Sequence, residues 1–208
     1  MILEVPVRGV FDENCYFLVD NASKRAMVID PGAEGDRLLD LTVRNGWIVE
    51  MIALTHGHFD HTGGVETLRR AIGVPVFASR NADVYLLDPE MNLSANYGMP
   101  IVVPDAQKVA EGEILSLGTP SSLRVRVIET PGHTADSVVY YCEEAGAAFV
   151  GDTIFEGSPG THLYPGGNPR DLRQSIAEKI FALPGETLLF SGHTPKTTVA
   201  AERARYRL

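Results

Sequence analysis

The sequence is poor in cysteine, in positive charge and in long apolar runs, and each shortage excludes a class of protein. Its 208 residues include 2 cysteines, Cys15 and Cys142, too few for a disulfide framework. Both lie in apolar, strand-like runs (Tyr16-Phe17-Leu18 and Val138-Val139-Tyr140), so buried free thiols are expected rather than a bridge or metal ligands. Lysine and arginine total 18 against 27 acidic residues, a net charge of -9. That balance argues against nucleic acid as a partner, because phosphate binding needs a basic surface. No apolar run approaches the ~18 residues of a membrane span, and no membrane partner is expected. The opening residues, Met1 to Arg8, lack the basic-then-apolar order of an export signal, which makes a cytoplasmic location the default expectation. Linkers, low-complexity segments and short repeats are missing too, so residues 1–208 are expected to form a single domain.

What the sequence does have is histidine concentrated in one place. Of 6 histidines, three fall in Thr55-His56-Gly57-His58-Phe59-Asp60-His61-Thr62-Gly63-Gly64. Neutral imidazole and carboxylate oxygen are good ligands for zinc. His56 and His58 stand two residues apart, so in an extended segment both rings point to one side. Crowded together as plain structure these groups would be costly; sharing a cation stabilises them. Before the motif, Ile48 to Leu54 reads as a strand. After it, Val65, Leu68 and Ile72 fall at helical spacing. The motif therefore belongs at the carboxyl end of a strand, where open α/β architectures tend to place ligands.

Elsewhere, Ile2–Val7, Cys15–Val19 and Ala26–Ile29 read as strands in a meander. Gly35–Asn45 reads as a helix capped by Gly46. Val74–Ala78, Ile114–Leu117, Leu123–Ile128, Val138–Cys142, Ala147–Val150 and Thr187–Phe190 read as further strands. Asn81–Leu87, Pro169–Ala182 and Thr197–Tyr206 read as helices, Pro169 opening the second of these at its first turn. Asp88 to Pro104 is rich in Pro, Gly and Asn, and a connection of this length in a compact domain is often functional. Strands and helices fall in two halves, near residues 1–105 and 106–208, consistent with two sheets packed face to face and helices outside.

Three more ligand-type residues each follow a strand and adjoin glycine: His133 in Pro131-Gly132-His133-Thr134, Asp152 in Gly151-Asp152-Thr153, and His193 in Ser191-Gly192-His193. Strand ends in a layered fold converge on one edge, so these residues are candidates for the same site as the histidine motif.

T-H-G-H-x-D-H, P-G-H-T, G-D-T-I-F-x-G-S and S-G-H, in this order, resemble the metallo-β-lactamase superfamily, and within it the glyoxalase II-like hydrolases. The resemblance runs from Asn14-Cys15-Tyr16 to the end of the chain. It implies a four-layer αββα sandwich, of the mixed α/β (α+β) class, with metals at one edge of the sheets. By that resemblance His56, His58 and His133 hold a first metal, Asp60, His61 and His193 hold a second, and Asp152 bridges them. The cofactors implied are two divalent ions, zinc first, with iron or manganese accepted by the same ligand types. Two metals about 4 Å apart can hold a bridging hydroxide and polarise a carbonyl. With Asp60 and Asp152 as the catalytic carboxylates, the expected reaction is hydrolysis of a small-molecule thioester.

Departures from the family pattern bear on substrate. Where relatives carry G-R-x-D, this chain has Gly160-Thr161-His162-Leu163, and Asn168 and Thr194 replace a usual Asp and Gly. His162 and Tyr164 are candidates for the substrate rim. The chain ends soon after His193, without the helical region that completes a glutathione pocket in full-length glyoxalase II enzymes. Two other readings compete. One is a mononuclear iron persulfide dioxygenase using His56, His133 and Asp152; the other is a metal-stabilised scaffold for a partner protein. Retention of His61 and His193 favours the binuclear hydrolase over the first, and the full ligand set favours it over the second.

Overall fold

A computed structural model of the protein describes residues 1–118 and 123–206. The first half builds β1 (Ile2–Arg8), β2 (Asp12–Val19), β3 (Arg25–Ile29), α1 (Gly35–Asn45), β4 (Ile48–Ala53), α2 (Phe59–Thr62), α3 (Val65–Ile72), β5 (Val76–Ser79), α4 (Asp83–Leu86) and β6 (Gln107–Val109). The second half builds β7 (Ile114–Leu117), β8 (Leu123–Glu129), β9 (Val138–Cys142), β10 (Ala147–Gly151), β11 (Ile154–Phe155), β12 (Ser158–Pro159), α5 (Pro169–Gln174), β13 (Leu188–Ser191), β14 (Thr197–Thr198) and α6 (Val199–Tyr206).

Two mixed sheets result, ordered β1-β2-β3-β4-β5-β6 and β14-β13-β10-β9-β8-β7, with β11 and β12 as a separate small pair. The first three strands form the expected antiparallel meander, and β4, β5 and β6 then add parallel to it.

The alternation of side chains along each strand fixes the layers. On β2, Cys15, Phe17 and Val19 point to an outer core shared with Leu38 of α1 and Val65 and Leu68 of α3. Tyr16 and Leu18 point the other way, into a core between the sheets with Met27, Ile29, Val127, Tyr140 and Phe149. The second sheet repeats the logic outward: Val139, Tyr141, Ala148 and Val150 pack on Leu172, Ile176, Ile180 and Val199. Helix, sheet, sheet and helix thus form the expected αββα sandwich. Both cysteines are free and buried. Among the described residues, no helix is long and apolar enough to cross a membrane.

Some boundaries differ from the sequence reading. The helix expected over Pro169–Ala182 is α-helical to Gln174 and then widens into a π-helical stretch, Ser175–Ile180. There Ser175 donates to the Pro131 carbonyl at 2.8 Å, tying the helix to the turn that carries His133. Thr197 and Thr198 pair with β13 instead of opening the last helix. β6 was missed because its three residues include exposed Gln107 and Lys108, which show no apolar alternation.

The Asn14-Cys15-Tyr16 stretch acts across the two sheets. The Tyr16 hydroxyl donates to the Ser191 carbonyl at 2.6 Å. Asn14 Nδ2 donates to the carbonyls of Ser191 and Thr194, both at 3.2 Å. The turn bearing His193 is therefore held by a strand nearly a chain length away in sequence. Tyr16→Phe removes one buried hydrogen bond, and the loss expected in denaturant unfolding is about 1 kcal/mol; an unchanged midpoint would mean that the bond contributes nothing.

Candidate metal centre

Four strand ends deliver the candidate ligands to one edge. After β4 the chain stays extended through His58 (φ -63, ψ 147) and then turns into α2, which brings Asp60 and His61 to the same side. His133 follows β8, Asp152 follows β10, and His193 follows β13, the parallel neighbour of β10. Glycine is required where these turns meet: a Cβ on Gly192 would lie 2.5 Å from His61 Cε1 and 2.6 Å from Asp152 Oδ1.

The seven residues form two overlapping groups. His56 Nε2 is 3.1 Å from His58 Nδ1, which is 3.0 Å from His133 Nε2. On the other side His193 Nε2 is 3.3 Å from Asp60 Oδ2 and 3.4 Å from His61 Nε2. Asp152 lies between the groups. One oxygen is 3.6 Å from His133 Nε2 and 3.4 Å from His193 Nε2, and the other is 3.4 Å from His61 Nε2.

Hydrogen bonds behind the rings decide which nitrogens are free. His133 Nδ1 faces the Thr161 carbonyl at 2.7 Å, and His193 Nδ1 faces the Asp12 carbonyl at 2.8 Å. A carbonyl only accepts, so both Nδ1 atoms carry the proton and both Nε2 atoms are left for the site. Asp30 has the same role for His61, accepting from Nδ1 at 3.0 Å. It also accepts from the Thr55 amide at 2.7 Å and the Thr55 hydroxyl at 2.6 Å. The Thr55 hydroxyl, its proton thus committed, is left to accept from His56 Nδ1 at 3.2 Å. His56, His58 and His133 therefore aim three ring nitrogens at one point, where a proton on His58 could bridge only one of the two contacts. Asp152 Oδ1 is buried without a hydrogen-bond partner. Converging lone pairs and an orphaned carboxylate oxygen are the donor set of a cation site. The groups His56-His58-His133, His56-His61-Asp152 and Asp60-His61-His193 each have the proximity to hold an ion.

Electrostatics separates the two halves. Burial and the neighbouring histidines hold His56 well below the usual histidine range. Burial, with His133 beside it, lowers His58 to about 3. This half is neutral and ready for a metal at pH 7. In the other half, burial opposes charge on His61, yet Asp152 and Asp30 hold its pKa well above the usual value. His193 likewise resists burial and is pushed up to about 10 by Asp152 and Asp60. Glu13, wholly buried 3.8 Å from His61 Nδ1, has its own carboxyl pushed well up by burial.

Sequence reading had not assigned Asp30, Thr55 or Glu13 to the site. Asp30 directly follows β3 and adopts a left-handed conformation (φ 48), which no sequence pattern announces. Tyr164 lines the cleft over the site, as do Leu93, Asn96 and Tyr97 from the long connection. His162 does not; it is exposed and borders a different hollow with Pro169, Leu172 and Tyr206. From this segment it is the Thr161 carbonyl that reaches His133, while the His162 side chain lies in the other hollow.

The fold and the site together define a known class. The sequence profile of the metallo-beta-lactamase superfamily matches residues 8–193, and the chain belongs to that superfamily. Among particular relatives, hydroxyacylglutathione hydrolase GloC of Haemophilus influenzae is 31% identical, covering 98% of this chain and 95% of its own length. Among solved structures, BLEG-1 B3 metallo-beta-lactamase superposes with a TM-score of 0.91 at 34% identity, covering 98% of this chain and 97% of that one. TTHA1623 in a di-iron-bound form superposes with a TM-score of 0.85 at 32% identity, with the same coverages.

Two outcomes follow from the hydrogen-bond and charge pattern. Asp30→Ala strands His61 Nδ1, and affinity for a second equivalent of zinc, measured against a competing chelator, is expected to fall about 10–100-fold; an unchanged affinity would remove Asp30 from the account. His61 and His193 must give up protons to bind a cation, whereas His56 and His58 need not. On stepwise acidification from pH 8, one metal equivalent is expected to leave well before the other. His193→Ala should abolish that first step, and simultaneous loss of both equivalents would contradict the asymmetry.

Proposed function

We propose that the protein is a binuclear metal-dependent hydrolase of small thioesters. The observation that carries the proposal is the placement of Asp152 within 3.6 Å of His133 on one side and 3.4 Å of both His61 and His193 on the other. His56, His58 and His133 would hold one divalent ion, Asp60, His61 and His193 the other, and Asp152 both. Zinc suits this nitrogen-rich set, and iron or manganese fits the same donors. Such ions make water a nucleophile at neutral pH and polarise a carbonyl.

The chain's own residues supply the rest. Asp60 and Asp152 line a cleft of about 440 Å³, where their oxygens accept hydrogen bonds from entering water and orient it. Asp30, Thr161 and Asp12 accept hydrogen bonds from the Nδ1 atoms of His61, His133 and His193, which turns the Nε2 atoms of these rings to the open face; His133 is ready for a cation there, while His61 and His193 first give up a proton. His193 and Asp152 line the cleft, where their side chains are 25% and 10% exposed. A small-molecule substrate fits that volume. The named activity of the Haemophilus relative supports thioester chemistry.

A second reading has support from BLEG-1, which bears the name of a β-lactamase. Metal content of protein purified without chelator, assayed beside thioester hydrolysis, β-lactam hydrolysis and oxygen uptake, distinguishes the possibilities. The expected result is two metal equivalents, thioester turnover, and a loss of about 10² or more in kcat for His193→Ala with one equivalent retained. One iron per chain, unaltered by His193→Ala and accompanied by oxygen uptake on a persulfide, would overturn the hydrolase in favour of a dioxygenase. Turnover of a β-lactam without thioester turnover would keep the hydrolase and overturn its substrate.

A further inference from the structure

The walls of the cleft carry chemistry that the metal centre does not use. Phe11, from the turn between β1 and β2, meets Phe59 of α2 at a ring-centroid distance of 6.0 Å and Tyr97 at 5.5 Å. Phe59 and Tyr97 are 5.1 Å apart. Across the opening, Tyr164 stands 5.6 Å from the His58 ring, and Phe155 stands 6.1 Å from the His193 ring. Aromatic side chains therefore flank the candidate metal centre on both sides. They are not sealed in a core: Phe11 is 42% exposed, Tyr97 44% and Tyr164 45%. Exposed large aromatics gathered around one concavity mark a place where apolar ligand surface is buried.

The charge of the same walls points in one direction. Among the described residues lining the cleft there is no lysine or arginine, and the charged ones beyond the histidines are Asp12, Asp60 and Asp152. Asp12 is exposed at the rim and is not one of the grouped ligands. A substrate whose remote part carries carboxylates would find cations only at the metal centre itself, where the reacting carbonyl must sit. Elsewhere it would meet aromatic faces and Asp12. Desolvating an anion against such a wall is costly, whereas an aryl or alkyl group gains there.

The segment bearing Tyr97 is also built to hold its place. Asn92 donates to the carbonyls of Tyr85 and Ile101 and accepts from the Ser94 amide at 3.0 Å. The Phe59 amide in turn donates to the Asn92 carbonyl at 3.1 Å. Leu93 is left-handed at φ 73. A leucine held in that conformation signals a loop whose shape is fixed by its surroundings. Tyr97 is thus fixed against Phe59, one residue from Asp60.

We propose that the Phe11-Phe59-Tyr97 wall selects thioesters of uncharged aromatic or aliphatic thiols over thioesters of anionic carriers such as glutathione. The proposal rests on the hydrolase reading for its reaction, and its binding preference can be measured without turnover. In the reaction water adds its oxygen to the acyl carbon, the carbon–sulfur bond breaks with its electron pair leaving on sulfur, one proton of the water passes to that sulfur, and the products are a carboxylic acid and a neutral apolar thiol. No oxidant or reductant is needed.

The test compares S-benzyl and glutathione thioesters of the same acyl group on the zinc-loaded protein, alongside equilibrium binding of benzyl mercaptan and of glutathione. The benzyl ester is expected to have the higher kcat/KM by about tenfold or more, and benzyl mercaptan to bind tighter in the same proportion. Phe11→Ala combined with Tyr97→Ala should erase the preference in both measurements at full metal content. Asn96→Arg, at an exposed position of the same wall, should shift both towards glutathione. Tighter binding and faster turnover of the glutathione compounds by the unaltered protein would overturn the proposal. So would a preference for benzyl that survives loss of both rings. If the binding order holds and neither ester is hydrolysed, the selectivity of the wall stands and the hydrolase reading is what fails.

Discussion

Three histidine nitrogens converge on one point beside the Asp152 carboxylate, and the surrounding structure holds them there. Left alone, such an arrangement would relax: rings would flip, side chains would swing to solvent, and burial would work against the charges. It persists because His56, His61, His133 and His193 are each held from behind. Thr161 and Asp12 hold His133 and His193 by main-chain carbonyls. Asp30 holds His61 and, through Thr55, reaches His56. Asp30 lies at the end of β3, Thr55 just beyond β4, and His61 in α2. One carboxylate therefore locks the ends of two parallel strands to the turn that supplies most of the candidate ligands.

The sandwich supplies what no single sheet can. β4 belongs to the first sheet, while β8, β10 and β13 belong to the second. Their ends approach only because the apolar faces of both sheets share the inner core of Tyr16, Met27, Tyr140 and Phe149. The hydrophobic layers thus perform a positioning task, and the Asn14 and Tyr16 bonds to the 191–194 turn give that packing a specific register. Helix placement follows the same rule. Asn168 caps α5 by accepting from Arg170 at 2.9 Å, and its amide donates to the Gly132 carbonyl next to His133.

Much of this was legible in the sequence, for physical reasons. The candidate ligands are polar residues at strand ends beside glycine, and strand alternation and helical spacing are local signals, so the αββα layers and the gathering of the seven side chains could be anticipated. What stayed hidden depends on contacts distant in sequence. Asp30 reads as a turn residue until His61, 31 positions later, is brought against it. The carbonyls of Asp12 and Thr161 carry no side-chain signature at all. Phe11 and Tyr97 are unremarkable apart and form a wall only when the long connection folds back over α2. His162 is a candidate for the rim because it stands where relatives carry a different pattern, but that position borders another hollow, and only the carbonyl of its neighbour Thr161 reaches His133.

The central claim is that this edge of the sandwich holds two cations that share Asp152. Anomalous scattering from crystals of the zinc-loaded protein tests it most directly. Two peaks are expected: one among His56 Nε2, His58 Nδ1 and His133 Nε2, the other among Asp60, His61 and His193, with Asp152 in contact with both. A single peak at full occupancy with His61 and His193 unliganded, in crystals soaked in excess zinc near pH 8, would contradict the account.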